Sequence, residues 1–257
     1  MAIVTITTDF GTADPFVGIM KGVIASRAPG AQVIDVTHGI PPHDVLVGAL
    51  VLRHAAPFFA AGTIHVAVVD PGVGGERRPL CIEAEGALFV GPDNGLLSLA
   101  APAPRVRRIV HLAEERFFLS PRSGTFHGRD VFAPVAAALA TGTPPSDLGP
   151  TVADMQRIEL PAIVCEGERL RGQVIYVDHF GNLTTNLTQA DLPDGSLVVA
   201  VGDVRLHGIA ATYSAVAPGE PVAVVNSWGL LEIAIREGSA RATLGVRLGD
   251  PVVIERS

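Results

Sequence analysis

Five short blocks of polar and aromatic residues, each set on a turn, hold the side chains of this 257-residue chain that could do chemistry. The first is Thr7-Thr8-Asp9-Phe10-Gly11-Thr12-Ala13-Asp14, which closes an apolar run. Two carboxylates on one glycine-containing loop can face a shared crevice. Asp9 suits a ribose diol, because a carboxylate accepts two O–H groups, and Asp14 suits an ammonium group. Asp14 fits equally as the cap of a following helix, with Pro15 at its first position. The second block, Asp70-Pro71-Gly72-Val73-Gly74-Gly75-Glu76-Arg77-Arg78, again delivers an aspartate at the end of an apolar run. It lacks the third glycine of a dinucleotide fingerprint and the lysine of a phosphate loop. The better reading is a loop folded back until Asp70 meets one of the two arginines, although a solvated ion pair on a surface turn has the same sequence.

The third block is Ser123-Gly124-Thr125-Phe126-His127-Gly128-Arg129-Asp130. Small residues around His127 leave its ring room to face a ligand, and Asp130 stands where a helix cap or first-turn acid belongs. His38, His54, His65, His111 and His207 lack such surroundings and read as structural or merely exposed. In the fourth block, Val177 to Asn186, Phe180 can stack on a purine and Asn182 can offer its amide to the purine edge. Asp178, Gly181 and Asn182 are also ordinary turn residues. The fifth block, Val225-Asn226-Ser227-Trp228-Gly229-Leu230-Leu231-Glu232, again sets polar and aromatic residues on a turn and contains the only tryptophan. No H-x-x-x-H, C-x-x-C, D-x-D or G-x-S-x-G spacing occurs, so the chemistry expected needs no metal, no cofactor and no serine nucleophile.

These blocks must be carried by regular elements. Over residues 1–150, apolar strand runs (2–8, 32–36, 63–69, 80–83, 88–90, 106–110) alternate with helical spacing at 15–28 and 43–56 and an amphipathic helix at 130–140. That alternation predicts an α/β domain: a mostly parallel sheet with flanking helices and its sites beyond the carboxyl ends of the strands. From residue 170 onward, short strands (172–177, 196–201, 204–206, 221–225, 230–235, 251–255) follow one another with no helix between. They predict a smaller all-β barrel domain. The domains expected are 1–155 and 169–257, joined by a linker over 156–168.

Composition narrows the partners. Hydrophobic residues make up 48% and charged residues 18%, a globular balance. Mean hydropathy is +0.39, yet the stretch most suited to a membrane, between Arg53 and Asp70, is too short and holds Pro57, Gly62 and His65. A net charge of −7 argues against nucleic acid, which needs a basic stripe. A small molecule is therefore the expected substrate. Two cysteines and an N-terminal segment that reads as a strand rather than a signal peptide point to the cytoplasm.

Taken in order, the blocks TTDFGTADPFVG, IDVTHGIPPHDV, VVDPGVGGERR, GPDNGLL, TFHGRDVFAPVAA, DHFGNLTTN and NSWGLLEIA resemble the S-adenosylmethionine hydroxide adenosyltransferase family. Its members are the water-using relatives of fluorinating and chlorinating enzymes. The resemblance spans nearly the whole chain. It implies hydrolysis of S-adenosylmethionine to adenosine and methionine by water attacking ribose C5′, in a homotrimer with active sites between subunits. It also implies roles: Asp70, Arg77 and His127 hold the water, Asp9 the ribose diol, and Asp14, Asp178 and Ser227 the methionine portion. Phe180 and Asn182 match the adenine pocket, and Phe126 and Trp228 join the substrate-binding set. Halogenating relatives carry a tyrosine, a threonine and a serine where this chain has Asp70, Val73 and Gly128, and an arginine at Trp228. A carboxylate at Asp70 repels a halide. Besides halogenation, the alternatives are a non-catalytic sensor of the nucleoside and a metal-dependent hydrolase built on Asp9, Asp14 and Asp70.

Overall fold

Side chains alternate along β1 (Ile3–Thr8): Val4 and Ile6 enter one apolar cluster, while Thr5 and Thr7 are buried on the opposite face. A strand buried on both faces belongs in the middle of a sheet. In the computed structural model, which describes all 257 residues, β1 pairs in parallel with β2 (Gln32–Thr37) on one side and β3 (Ile64–Val68) on the other. The sheet continues through β5 (Ala87–Pro92), β4 (Pro79–Ala84) and β6 (Val106–His111), in the order β2-β1-β3-β5-β4-β6.

This sheet is mixed but mostly parallel: five of its six strands run in one direction and β4 alone runs against them. The β4 pairings with β5 and β6 are both antiparallel. The reason is local: Glu85 (φ 45°) and Gly86 (φ 80°) form a two-residue hairpin turn, which can only reverse the chain.

Helix α1 (Phe16–Arg27) buries Val17, Met20 and Ile24, a helical spacing, and Met20 and Ile24 join the cluster of Val4 and Ile6. Helix α2 (Val45–Ala55), capped by Asp44 through the Val47 N–H at 3.0 Å, covers the other face. There a β-carbon on Gly48 would lie 2.8 Å from Leu96 and 3.0 Å from Val69, so the glycine lets α2 approach these side chains closely. The expected amphipathic helix over 130–140 is corrected in two ways. Its first turn, Gly128–Phe132, is a π turn, and α3 proper runs Ala133–Ala140. Moreover α3 has no polar face: Ala133 through Ala137 and Leu139 are all buried, as an alanine-rich helix allows when neighbours close in on every side.

The chain divides into two units, Met1–Ile158 and Glu159–Ser257. Part of the expected linker is ordered by each. The Gln156 and Ile158 N–H groups donate to Asp93 and to the Ser98 hydroxyl, and Val164–Glu166 forms strand β7. The second unit is a nearly closed antiparallel sheet, with β7 pairing onto β8 (Arg169–Val177). Its order is β11 (Val204–His207), β10 (Leu197–Val201), β14 (Pro251–Arg256), β8, β9 (Leu183–Thr188), β13 (Leu230–Ile235), β12 (Pro221–Val225). Alternate residues such as Leu197, Val199, Val201, Leu231, Ile233, Val252 and Ile254 fill its interior. Across the gap between β11 and β12, the Ala210 N–H donates to the Ala223 carbonyl. The unit is not helix-free as expected: Ser239 caps a short helix, α4 (Ala240–Leu244), which Gly245 ends at φ 67°.

Candidate active site

In the first unit the chain runs from β1 to β2 on one side of β1, then returns to β3 on the other. The order of strands therefore reverses between β1 and β3, and a crevice opens beyond their carboxyl ends. Thr8 pairs with Val68 at this edge, so Asp9 and Asp70 emerge from neighbouring strands.

Asp70 and Arg77 meet across a tight turn closed by Val73 N–H to Asp70 O and Gly75 N–H to Gly72 O. Arg77 Nε donates to both Asp70 oxygens at 3.0 and 3.1 Å, and Nη2 donates to Oδ2 as well. The pair is no surface turn: the two side chains are 8% and 4% exposed. The Arg77 guanidinium also lies 5.5 Å from the Phe132 ring centre. Arg78, the weaker candidate, bonds instead to Asp93 and Asp154 and is structural.

His127 reaches this pair from the π turn. Arg77 Nη2 lies 2.8 Å from His127 Nδ1. A guanidinium has no lone pair to offer, so Nδ1 is the acceptor and the ring's proton sits on Nε2. Burial, and then the positive charge of Arg77, push the His127 pKa down and favour that neutral form. Asp70, Arg77 and His127 are thus one hydrogen-bonded unit, whose bonds leave Arg77 Nη1 and His127 Nε2–H unused.

Two glycines bring the loops into register. Gly74 has φ 76°, and a β-carbon there would lie 2.1 Å from the Gly124 carbonyl, so the two loops touch backbone to backbone. At Gly128 a β-carbon would come 3.1 Å from Met20 Sδ, 3.2 Å from the Phe126 ring and 3.4 Å from the Phe10 ring. Phe126 packs edge-on against Phe10 and Phe16 at 6.0 and 5.3 Å, so the loop of Asp9 meets the loop of His127. Asp130 is the first-turn acid of the π turn. It takes Arg129 and the Ser123 N–H, which holds the 123–130 loop closed.

Asp9 accepts the His43 N–H through Oδ2 at 2.9 Å and keeps Oδ1 free. His43 itself is held at φ 68°. Behind it, His38 is buried between Thr8 (2.9 Å) and Asp35 (3.2 Å), and its carbonyl accepts the Gly11 N–H, so the expected structural reading of His38 fits this place. Asp14 does not cap α1. Pro15 occupies the cap position without a side-chain bond, and Asp14 is exposed and unpaired.

The remaining predicted residues lie in the second unit. Asp178 Oδ1 accepts the Phe180 and Asn182 N–H groups, and Oδ2 accepts Asn182 Nδ2. The carboxylate expected to hold a ligand is thus occupied by its own loop, and the Asn182 amide keeps its oxygen and its second N–H. This loop leaves Phe180 72% exposed, where a flat ligand can stack. Gly181 (φ 84°) packs on Ser239. Phe180 and Asn182 line a cavity of about 700 Å³ with Tyr213, Ile235, Arg236 and Glu237. Ser227 is exposed on a turn held by Asn226 Oδ1, and Trp228 lies 4.9 Å from Tyr176. The sequence reading gives no role to Tyr213, nor to the buried Glu232 behind it, which ends the fifth block. The available signal was one carboxylate inside the apolar run Leu230–Ile235. No group of three metal-ligating side chains converges anywhere in the structure.

A reversed-order sheet carrying this cluster, followed by a barrel-like sheet with an aromatic cavity, defines a two-domain class. Residues 4–149 match the family model of the SAM hydroxide adenosyltransferase N-terminal domain, and residues 172–253 match that of its C-terminal domain. The chain belongs to this family. It is 44% identical over 253 residues to an (R)-S-adenosyl-L-methionine hydrolase of Salinispora tropica, covering 96% of this chain and 95% of the relative. An enzyme of the same name from Thermus thermophilus is 43% identical, with 95% and 96% covered. A fluorinase of an Actinoplanes species is more distant, at 25% identity with 99% and 98% covered. Among solved structures, a conserved protein of Thermotoga maritima superposes with a TM-score of 0.90 at 33% identity, covering all of both chains.

Proposed function

We propose that this chain hydrolyses S-adenosylmethionine to adenosine and methionine, by in-line attack of water on ribose C5′. The observation that carries it is the Asp70–Arg77–His127 unit at the β1/β3 switch point. As the C5′–S bond breaks, its electron pair goes to sulfur and methionine leaves as a neutral thioether, so departure needs no acid. The protein has only to hold water opposite that bond, which in well-oriented systems is worth ~7–11 kcal/mol. Arg77 Nη1 and His127 Nε2–H are the donors that hold the water oxygen. The oxygen sheds its proton once bonded to carbon. His127 Nδ1 is already taken by Arg77, so the acceptor within the cluster is Asp70. No metal enters this scheme.

Asp9, with one free oxygen, takes the ribose diol, while Asp14, exposed and unpaired, and Ser227 serve the methionine portion. The cavity beside Phe180 and Asn182 takes adenine, and Asp178 acts by shaping that loop. The working form is a homotrimer. Two free thiols, Cys81 and Cys165, support a reducing, cytoplasmic setting. The curated hydrolases carry the (R) descriptor in their names, so we assign this chain the same sulfonium epimer. Halide transfer is disfavoured by the Asp70 carboxylate, and a serine at Gly128 would crowd Met20, Phe126 and Phe10. The test is to incubate each sulfonium epimer separately and follow adenosine by chromatography. Adenosine from the (R) epimer, lost in Asp70→Asn, supports the reading; a bound but unconsumed cofactor would make the chain a sensor instead.

A further inference from the structure

Glu232 is the oddity of the second unit. It sits mid-strand in β13 and is 4% exposed, yet no arginine, lysine or histidine pairs with it. Burying a carboxylate is costly, and a leucine would suit such a strand better. Its neighbours Leu231 and Ile233 point into the interior of the sheet, so Glu232 faces outward, on the side of Ala234, Val222 and Val224. That outer face is covered by the segment between β11 and β12, whose Ala210 and Val216 pack on it.

Three neutral donors from three different segments converge on the carboxylate. Tyr213 of the covering segment donates its O–H to Oε1 at 2.7 Å. Thr184 of β9 donates to Oε2 at 3.3 Å, and Asn226 Nδ2 donates to the same oxygen at 2.9 Å. Asn226 in turn holds the Trp228 and Leu230 N–H groups with its own oxygen. The ladder between β13 and β9 slips between Leu230 and Glu232, an irregularity that re-aims side chains. One carboxylate therefore ties down both the Tyr213 wall of the cavity and the turn that presents Ser227 and Trp228.

We propose that Glu232 is a positioning residue for nucleoside recognition, setting the cavity wall and the Asn226 turn for a purine ligand. This rests on the adenine reading of the cavity given above. The donors are neutral and spread over the fold, so the bonds fix geometry rather than balance charge. Burial and the bond to Glu232 hold the Tyr213 hydroxyl protonated, as a donor must be.

The test uses the full-length chain. Tyr213→Phe, Glu232→Leu and Glu232→Gln are titrated with adenosine by calorimetry and assayed with S-adenosylmethionine. Tyr213→Phe and Glu232→Leu should raise the adenosine Kd and the substrate KM together by about tenfold, with kcat within about threefold of the parent. Glu232→Gln, which still accepts from Tyr213, should recover part of the loss. Tyr213→Phe added to Glu232→Leu should cost nothing further, because the Tyr213 hydroxyl acts through Glu232. If Glu232→Leu fails to fold, Tyr213→Phe, altered only at one hydroxyl, carries the test alone. Variants that melt earlier yet keep Kd and KM within twofold of the parent would overturn the proposal and leave Glu232 a purely structural residue. A parent chain whose adenosine binding is absent, or survives Phe180→Ala, would instead remove the purine reading itself, and this inference with it.

Discussion

At the scale of single residues, Arg77 does the most, because one guanidinium serves two partners. Nε and Nη2 hold Asp70, and Nη2 also sets the His127 tautomer. Lysine cannot reproduce that fork. Arg77→Lys is therefore expected to lower kcat by about 100-fold or more with little change in KM, measured by steady-state assay of adenosine release. The His127 ring adds a pH dependence whose sign follows from its depressed pKa. In the folded chain it takes up a proton at a lower pH than in the unfolded chain. Stability should be level above the ordinary histidine pKa of about 6.5 and fall as pH drops below it. Activity should fall on the same acid side, since a proton on Nδ1 breaks the bond to Arg77. A melting series and a rate profile between pH 5 and 8, compared with His127→Asn, check both. A link from Asp70 to one arginine was legible because Arg77 and Arg78 share its turn, and the family resemblance singled out Arg77. His127, fifty positions beyond Arg77, was not placed by spacing. What joins it is the approach of Gly74 to Gly124, a contact between distant loops that no local pattern records.

At the scale of elements, the site depends on how closely loops and helices approach. Gly74→Ala puts a β-carbon into the Gly124 carbonyl at a positive φ. It should lower Tm by several degrees and reduce kcat, as calorimetry and turnover on the same preparation would show. Gly128→Ser tests a different contact. Its side chain meets Met20, Phe126 and Phe10, so the variant is expected to lose hydrolysis without gaining halide transfer. Met20→Ala in the same chain, by relieving the closest contact, should restore part of the stability. Strand positions were largely legible, and β12 (Pro221–Val225) and β13 (Leu230–Ile235) fall where periodicity placed them. Less legible were β7, which pairs with β8, and β9, whose Thr184-Thr185-Asn186 segment reads as a polar turn. Those polar side chains are buried because Glu232, the Leu231 carbonyl and the Gln173 N–H await them, and such partners are invisible along the chain. Local chemistry also decided the β4–β5 hairpin, whose Glu85-Gly86 turn was present in the sequence but outweighed by the alternating pattern around it.

For the whole molecule, the proposed homotrimer should appear in light scattering as three times the 26.7 kDa chain mass. Specific activity that falls on dilution together with that mass would show that the assembly is needed for turnover. No helix is long and apolar enough to cross a membrane, despite the positive mean hydropathy. The apolar residues are spent instead on two cores, one around β1, β3, α1 and α3 and the other inside the second sheet. The reaction itself is tested most directly with ¹⁸O-water and the (R) epimer of S-adenosylmethionine in the presence of a chelator, the products being weighed by mass spectrometry. Water attack at C5′ without a metal requires adenosine carrying ¹⁸O at its 5′ oxygen beside unlabelled methionine. Adenosine without the label, or an intact cofactor after full incubation, would contradict it.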